Sequence, residues 1–338
     1  ARIETVARGV DTPWSIAFAV DGRIFFSERP GRIRVIKDGA LQSAPWMTIA
    51  VYESGESGLM GLALDPAFAQ NRFVYAAYTY RDGDGKAKNR LVRLREENGR
   101  GALDKVLLDN IAGANNHDGG RVKFGPDAKL YFTTGDAQQD KLAQDLKSLN
   151  GKILRLNADG SLPADNPFPN SPVYSYGHRN VQGLAWEPQS GRLYATEHGP
   201  SGLPCCHDEV NLIEAGKNYG WPVIYGDQTK NGMVAPVLQS GNDTWAPAGA
   251  AFFMRKNHPW ARSFLFTGLR GQALYRAVFD AKEPRKVALF ERTYERKFGR
   301  LRDLAEGADG ALYLLTSNRD GRGRPGPEDD RILRLVFK

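Results

Sequence analysis

Apolar and polar positions along this chain come in short bursts, not at helical spacing. Trp14-Ser15-Ile16-Ala17-Phe18 is followed by the turn Asp21-Gly22 and then by Ile24-Phe25-Phe26-Ser27-Glu28. The same grammar returns five more times: a short apolar stretch, a turn rich in Gly, Pro or Asp, then an aromatic-rich stretch ending in small polar residues. The paired stretches are residues 60–64 and 73–79, 122–124 and 130–133, 184–186 and 193–196, 250–254 and 263–267, and 303–305 and 312–316. Each pair reads as an antiparallel hairpin. Residues 33–36, 90–95, 151–156, 209–213, 273–277 and 331–337 fit a third strand after each hairpin. Helical periodicity is nearly absent, with residues 140–149 the one short candidate.

Many short strands punctuated by Gly and Pro argue an all-β fold. Six repeats of about 56 residues argue a six-bladed β-propeller of four-stranded antiparallel blades, because each blade consumes four strands. Residues 2–6 form a strand before the first hairpin and residues 331–337 one after the last. A propeller whose chain ends share one blade pairs these two and leaves no open edge. No linker or composition break divides the chain, so residues 1–338 are expected to form a single domain. The loop GRGRPGP at residues 321–327 is expected to lie within the last blade.

The third hairpin carries the sharpest chemical signal. In NNHDGGRVKFGPDAKLYFTTGD, residues 115–136, antiparallel pairing sets His117 and Asp118 beside Gly135 and Asp136. A His within reach of a carboxylate is a tuned base or a metal ligand. Loops that precede inner strands and loops that follow second strands share one face of a propeller. That mouth collects His117, Asp118 and Asp136, the run Gly177–Gln182, residues 197–200, Arg270, Arg300, Arg302 and residues 316–318. Such a group of arginines suits an anionic ligand bearing several carboxylates.

Composition narrows the field. The chain is 41% hydrophobic and 25% charged, ordinary for a globular protein, with a net charge of +7. Its arginines are scattered, with Arg29, Arg32 and Arg34 near one end and Arg319, Arg322 and Arg324 near the other. No stacking-aromatic module accompanies them, so nucleic acid is not an expected partner. No apolar run reaches the roughly 18 residues of a membrane-spanning helix, so no membrane insertion is expected. The two cysteines, Cys205 and Cys206, are adjacent. They can form a vicinal disulfide or stay as two thiols. Metal ligation by Cys205-Cys206-His207 is disfavoured, because successive side chains of an extended segment diverge and no second Cys/His group completes a zinc set.

GHRNVQGLAW (residues 177–186), EHGP (197–200), DEVNLI (208–213) and KNYGWP (217–222) together resemble the soluble pyrroloquinoline-quinone (PQQ) sugar dehydrogenases. The hairpin bearing His117 and GRLRDL at 299–304 match that family as well. The compact chain looks closer to its aldose sugar dehydrogenases than to soluble glucose dehydrogenase. The resemblance implies PQQ at the mouth, His117 as catalytic base with Asp136 supporting it, and Arg179 beside the reacting centre. Asn180, Gln182, Arg270, Arg300 and Arg302 would contact the cofactor, along with His117, Arg179 and Gly199. Calcium would be held by the Gly199 and Pro200 carbonyls, and a second ion by Glu209 and the Tyr219 carbonyl. His198 stands where glucose dehydrogenase has Gln and receives no role.

The implied reaction is oxidation of an aldose at C1 to the lactone, with hydride passing to the quinone and electrons leaving to an unidentified acceptor. The family resemblance and the absent initial Met suggest a periplasmic or secreted protein, as monomer or homodimer. Two other readings stay open: a calcium-dependent propeller lactonase or esterase, and a non-catalytic propeller that binds a protein or glycan.

Overall fold

The computed structural model describes residues 1–200 and 205–337. Its strands form six antiparallel sheets arranged as a six-bladed propeller. The inner strands are Pro13–Phe18, Leu59–Leu64, Val122–Phe124, Val181–Trp186, Pro247–Phe252 and Leu301–Glu306, opening blades 1 to 6 in turn. Blade 1 carries a short fifth strand, Met47–Thr48, on its third strand Arg32–Lys37.

The second strands explain why the sequence shows apolar runs and not strict alternation. Ile24–Glu28, Leu193–Glu197, Phe264–Gly268 and Leu312–Thr316 are buried at every position. A strand covered on both faces by neighbouring blades has no solvent side on which to place polar residues. The apolar clusters follow from this. Phe25, Trp46, Leu62 and Val74 fill the space between blades 1 and 2. Tyr194, Phe252, Phe264 and Tyr275 do so between blades 4 and 5. Each remaining blade interface has its own cluster.

The ring closes as the chain ends imply. Arg2–Arg8 pairs antiparallel with Arg331–Val336, with Arg2 opposite Val336 and Arg8 opposite Arg331. Deleting residues 1–8 strips the outer strand from blade 6 and bares a hydrogen-bonding edge. The truncated protein is expected to unfold at a lower temperature and to self-associate, read by thermal unfolding with light scattering.

Polar groups fill the axis. Arg121 Nη1 lies 3.0 Å from Asp303 Oδ2, with side chains 1% and 3% exposed. Arg121 Nε donates to the Gln182 carbonyl at 2.8 Å, and Nη1 donates to Ser15 Oγ at 3.2 Å. Asp303 also accepts the Ile16 N–H at 3.0 Å. Lys123 Nζ donates to the Ala250 carbonyl at 2.8 Å, and burial pulls its ammonium down to about 8. Inner strands of several blades thus meet on one set of charges.

Two expectations are corrected. A one-turn helix, Phe68–Asn71, interrupts the turn of the second hairpin, where only a turn was expected. Asp65 starts it, accepting the Ala67 N–H at 2.9 Å on its side chain and the Phe68 N–H at 2.9 Å on its carbonyl. One turn is too short to leave a periodic signature. The helical candidate at residues 140–149 shrinks to a 3₁₀ turn, Asp140–Ala143. The open question at Cys205 and Cys206 is answered by a disulfide joining them to each other.

Candidate active site

His117 sits on the loop between the last strand of blade 2, Arg100–Ala112, and the inner strand of blade 3. Its backbone takes the left-handed conformation, with φ of 63°, which non-glycine residues rarely adopt. The strain is held from several sides. The His117 carbonyl accepts the Ala137 N–H at 3.1 Å, and the His117 N–H donates to Glu56 Oε2 at 3.4 Å. Gly135 lets the two loops touch: an added Cβ there would lie 1.8 Å from the His117 carbonyl oxygen. Gly135→Ala is therefore expected to displace the imidazole and cut turnover at least about tenfold, given how steeply catalysis depends on placement. Steady-state kinetics beside a circular dichroism spectrum would separate this from unfolding.

His117 Nδ1 lies 2.8 Å from Asp136 Oδ1. A carboxylate accepting at Nδ1 places the neutral ring's proton there and leaves Nε2 with a free lone pair. Asp136 is itself fixed. Its Oδ2 accepts the Trp221 indole N–H at 2.8 Å, its Oδ1 accepts the Gln138 N–H at 2.8 Å, and its own N–H donates to the Arg179 carbonyl at 2.8 Å. Asp118, expected beside the same His, turns away from it. Its carboxylate accepts from Ser57 Oγ, Asn89 Nδ2 and the Ala114 N–H at 2.9, 2.8 and 3.0 Å, and burial raises it to about 6. Asp118 anchors the loop; Asp136 orients the ring.

A cavity of about 470 Å³ opens at the mouth, lined by His117, Arg179, Gly199, Pro200, Arg270 and Arg300 among others. Six of the expected site residues thus share one wall. The remaining expected contacts stand behind it. Asn180 Oδ1 accepts the Gly119 N–H at 3.0 Å, and Gln182 Nε2 donates to the Gly119 carbonyl at 3.2 Å, so both amides hold the His117 loop. Gln182 Oε1 accepts from Arg302 Nη1 at 2.7 Å. Arg302 is buried, its Nε has no partner, and its guanidinium lies 5.3 Å from the Trp14 ring centre. Burial lowers it to about 10, which leaves it charged at neutral pH. Arg300 is tied by its Nε to Asp320 Oδ2 at 2.7 Å. The Arg179 guanidinium lies 5.3 Å from the Trp221 ring centre.

Glu209 and Tyr219 lie away from the cavity. Glu209 accepts the Gly226 N–H at 2.9 Å and Asn211 Nδ2 at 3.0 Å, while Tyr219 stacks on His178 at 4.8 Å. Burial, with Glu197 nearby, raises the Glu209 carboxyl to about 8. Asn211 Oδ1 is buried without a partner. Among the described residues no cluster of three or more His, Cys, Asp or Glu could hold a metal.

Several mouth residues escaped the sequence reading. Glu56, from the loop between blades 1 and 2, pairs with Arg322 at 2.7 Å. Burial acts to raise its carboxyl, but surrounding positive charge, chiefly His198 and then Arg322 and Arg302, holds it at about 2. Burial also pushes the His198 imidazole down to about 4, so at neutral pH the standing charges facing Glu56 are the two guanidinium groups. His198 lines the cavity, and its Nε2 is buried without a partner. Asp208 accepts the Gly199 N–H at 3.0 Å and also those of Trp245 and Ala246 at 2.7 and 2.8 Å, fixing the segment that carries Gly199 and Pro200. His198, Asp208 and Trp221 lay within the motifs EHGP, DEVNLI and KNYGWP, and Arg322 within the GRGRPGP loop, but none was given a role from sequence; Glu56 belongs to no motif.

The chain is 31% identical to aldose sugar dehydrogenase YliI of Escherichia coli strain K12, over 94% of this chain and 91% of that protein. It is 32% identical to quinoprotein glucose dehydrogenase B of Acinetobacter calcoaceticus, over 68% of this chain and 54% of that one. The solved PQQ-bound form of aldose sugar dehydrogenase from Streptomyces coelicolor matches with a TM-score of 0.86 at 38% identity, covering 98% of this chain and 97% of that one. The Glucose / Sorbosone dehydrogenase family description matches residues 10–334. A six-bladed propeller with a His–Asp pair at an arginine-lined mouth, and these matches along nearly its whole length, make the chain a member of the glucose/sorbosone dehydrogenase family.

Proposed function

We propose that this protein, acting as one domain over residues 1–338, oxidises aldose sugars at C1 to the lactone with PQQ and calcium. The observation that carries the reading is the His117–Asp136 pair, 2.8 Å apart, on the wall of a cavity shared with Arg179, Arg270 and Arg300. The bound cofactor and its calcium would supply a two-electron acceptor polarised by a Lewis acid. His117 Nε2 takes the proton of the anomeric hydroxyl, and Asp136 steadies the imidazolium that forms. Arg179, which lines the cavity, would offer its guanidinium to negative charge on the bound acceptor.

The residues fit such a cofactor. The cavity volume falls in the range of small-molecule sites. Its cations suit a ligand with several carboxylates, which Arg300 and Arg270 on the cavity wall, with Arg302 behind it, would hold. The unpartnered, buried Arg302 Nε is a donor lacking an acceptor, a cost that a bound anion relieves, and His198 Nε2 is a second buried nitrogen without a partner. Calcium favours oxygen ligands in irregular geometry, which suits the Gly199 and Pro200 carbonyls. Glu209, with the unpartnered Asn211 Oδ1 beside it, offers oxygen donors for a second ion, together with the Tyr219 carbonyl. The resemblance supports a periplasmic setting, and no helix among the described residues is long and apolar enough to cross a membrane.

The test adds PQQ and calcium to the purified protein and follows reduction of an artificial dye by glucose and other aldoses. Turnover that needs both additions is the expected result. Failure to bind the quinone, by absorbance or calorimetry, overturns the reading; binding without turnover keeps the cofactor site and overturns the choice of substrate.

A further inference from the structure

The arginines of the GRGRPGP loop take no part in the chemistry above, and their position suggests another use. Arg322 reaches the mouth, pairing with Glu56 at 2.7 Å and bonding Asn116, the neighbour of His117. Arg319 and Arg324 flank it on the same loop, and all three are exposed. The blade 5 side adds more. Arg270 is exposed on the cavity rim. The Arg296 N–H donates to the Gln272 carbonyl at 2.7 Å, bringing exposed Arg296 and Lys297 beside the Arg270 loop.

Arg270, Arg296, Lys297, Arg319 and Arg324 form no ion pair among the described residues. Exposed Glu295 and Glu328 are acids interspersed among them, and Glu328 is paired with Arg8. The loop of blade 3 at the same mouth differs: its exposed Asp140, Lys141, Asp145 and Lys147 balance. At the mouth the exposed charge is thus positive along an arc over blades 5 and 6 and balanced over the blade 3 loop.

A positive arc steers anions. On the dehydrogenase reading, an aldose and its lactone are both uncharged and gain nothing from it. Arg296, Lys297, Arg319 and Arg324 are exposed and do not line the cavity, whereas the cofactor contacts proposed above line it or, like Arg302, are buried behind it, so these four are left for another use. The reactant left is the oxidant. Each sugar oxidised releases two electrons and two protons. Two successive one-electron acceptors balance this, with the protons going to solvent.

We propose that the basic arc of blades 5 and 6 is the docking surface for the electron acceptor, and that this acceptor is an acidic one-electron carrier protein. The inference rests on the dehydrogenase reading for its purpose but not for its test. Direct binding of an acidic cytochrome c and of a basic one is measured by calorimetry at low and at moderate salt. The wild type is compared with the triple variant Arg296→Glu, Lys297→Glu, Arg324→Glu, which touches no residue of the cavity. Turnover of the protein reconstituted with PQQ and calcium is followed in parallel with each cytochrome and with uncharged benzoquinone.

The expected result is that the acidic cytochrome binds at low salt and the basic one does not. Its kcat/KM should fall roughly tenfold or more as salt screens the arc, and by a similar factor in the triple variant. Turnover with benzoquinone and PQQ binding by the apo-protein should not change. Equal affinity of wild type and triple variant for the acidic cytochrome overturns the proposal. So does tighter binding of a DNA duplex or of anionic lipid vesicles, or a variant that loses PQQ uptake alone. Absence of turnover even with benzoquinone, with arc-dependent cytochrome binding retained, would overturn the sugar-oxidation reading and leave the docking surface standing.

Discussion

Replacing His117 by Ala is expected to lower kcat for aldose oxidation by about a hundredfold to ten-thousandfold, the usual worth of a positioned general base. The cofactor should still bind, because the cations of the cavity come from other blades. Asp136→Asn keeps the shape of the pair but offers an amide that can donate toward Nδ1, which favours the tautomer with its proton on Nε2. That variant should lose up to about ten-thousandfold in kcat, as expected when an acid–His pair is given the wrong tautomer. Dye-linked kinetics on the reconstituted protein, beside a PQQ titration of each variant, checks both. A His117→Ala protein with near wild-type kcat would remove His117 from the chemistry. Loss of PQQ binding in step with kcat would make it a cofactor contact and not a base.

Arg121→Met should cost about 3–5 kcal/mol of folding stability, since it strands the buried Asp303 carboxylate without its partner. Arg121 and Asp303 are almost wholly enclosed, and between them they bond to Ser15, Ile16 and Gln182. Gln182 in turn accepts from Arg302. The damage should therefore reach the mouth, with PQQ affinity falling along with stability. The double variant Arg121→Met, Asp303→Leu removes both charges and should recover part of the loss. Urea unfolding of the wild type, both single variants and the double variant closes the cycle. A single-variant loss below about 1 kcal/mol would show that water reaches the axis and screens the pair.

The propeller was legible because its grammar is local. A hairpin needs a turn and two short strands, and residues such as Gly125-Pro126-Asp127 announce the turn wherever they occur. Aromatic second strands marked the doubly covered layer, and the strand at each chain end announced the closure. The helix at Phe68–Asn71 was hidden for the opposite reason: it is a single turn nucleated by Asp65. The His117–Asp136 pairing could be anticipated because both residues border one hairpin, Val122–Phe124 with Leu130–Thr134. For the same reason Asp118 looked equally eligible, and sequence had no means to choose. The choice depends on Ser57 and Asn89, which belong to blade 2 and its entry loop and capture Asp118 first.

The sequence by itself determined the repeat, the β architecture, the ring closure and the face on which His117, Arg179, Arg300 and Arg302 gather. These follow from periodicity and turn chemistry, which act over a few residues. The tertiary structure alone decided that Glu56 and Arg322, 266 positions apart, pair across the mouth. It alone decided that Arg121 spends its charge on Asp303 at the axis, and that Asn180 and Gln182 support the His117 loop from behind. Partnerships of this kind are set by how six blades converge on one axis. Residues far apart in the chain become neighbours there, and no local pattern in the sequence records which of them will meet.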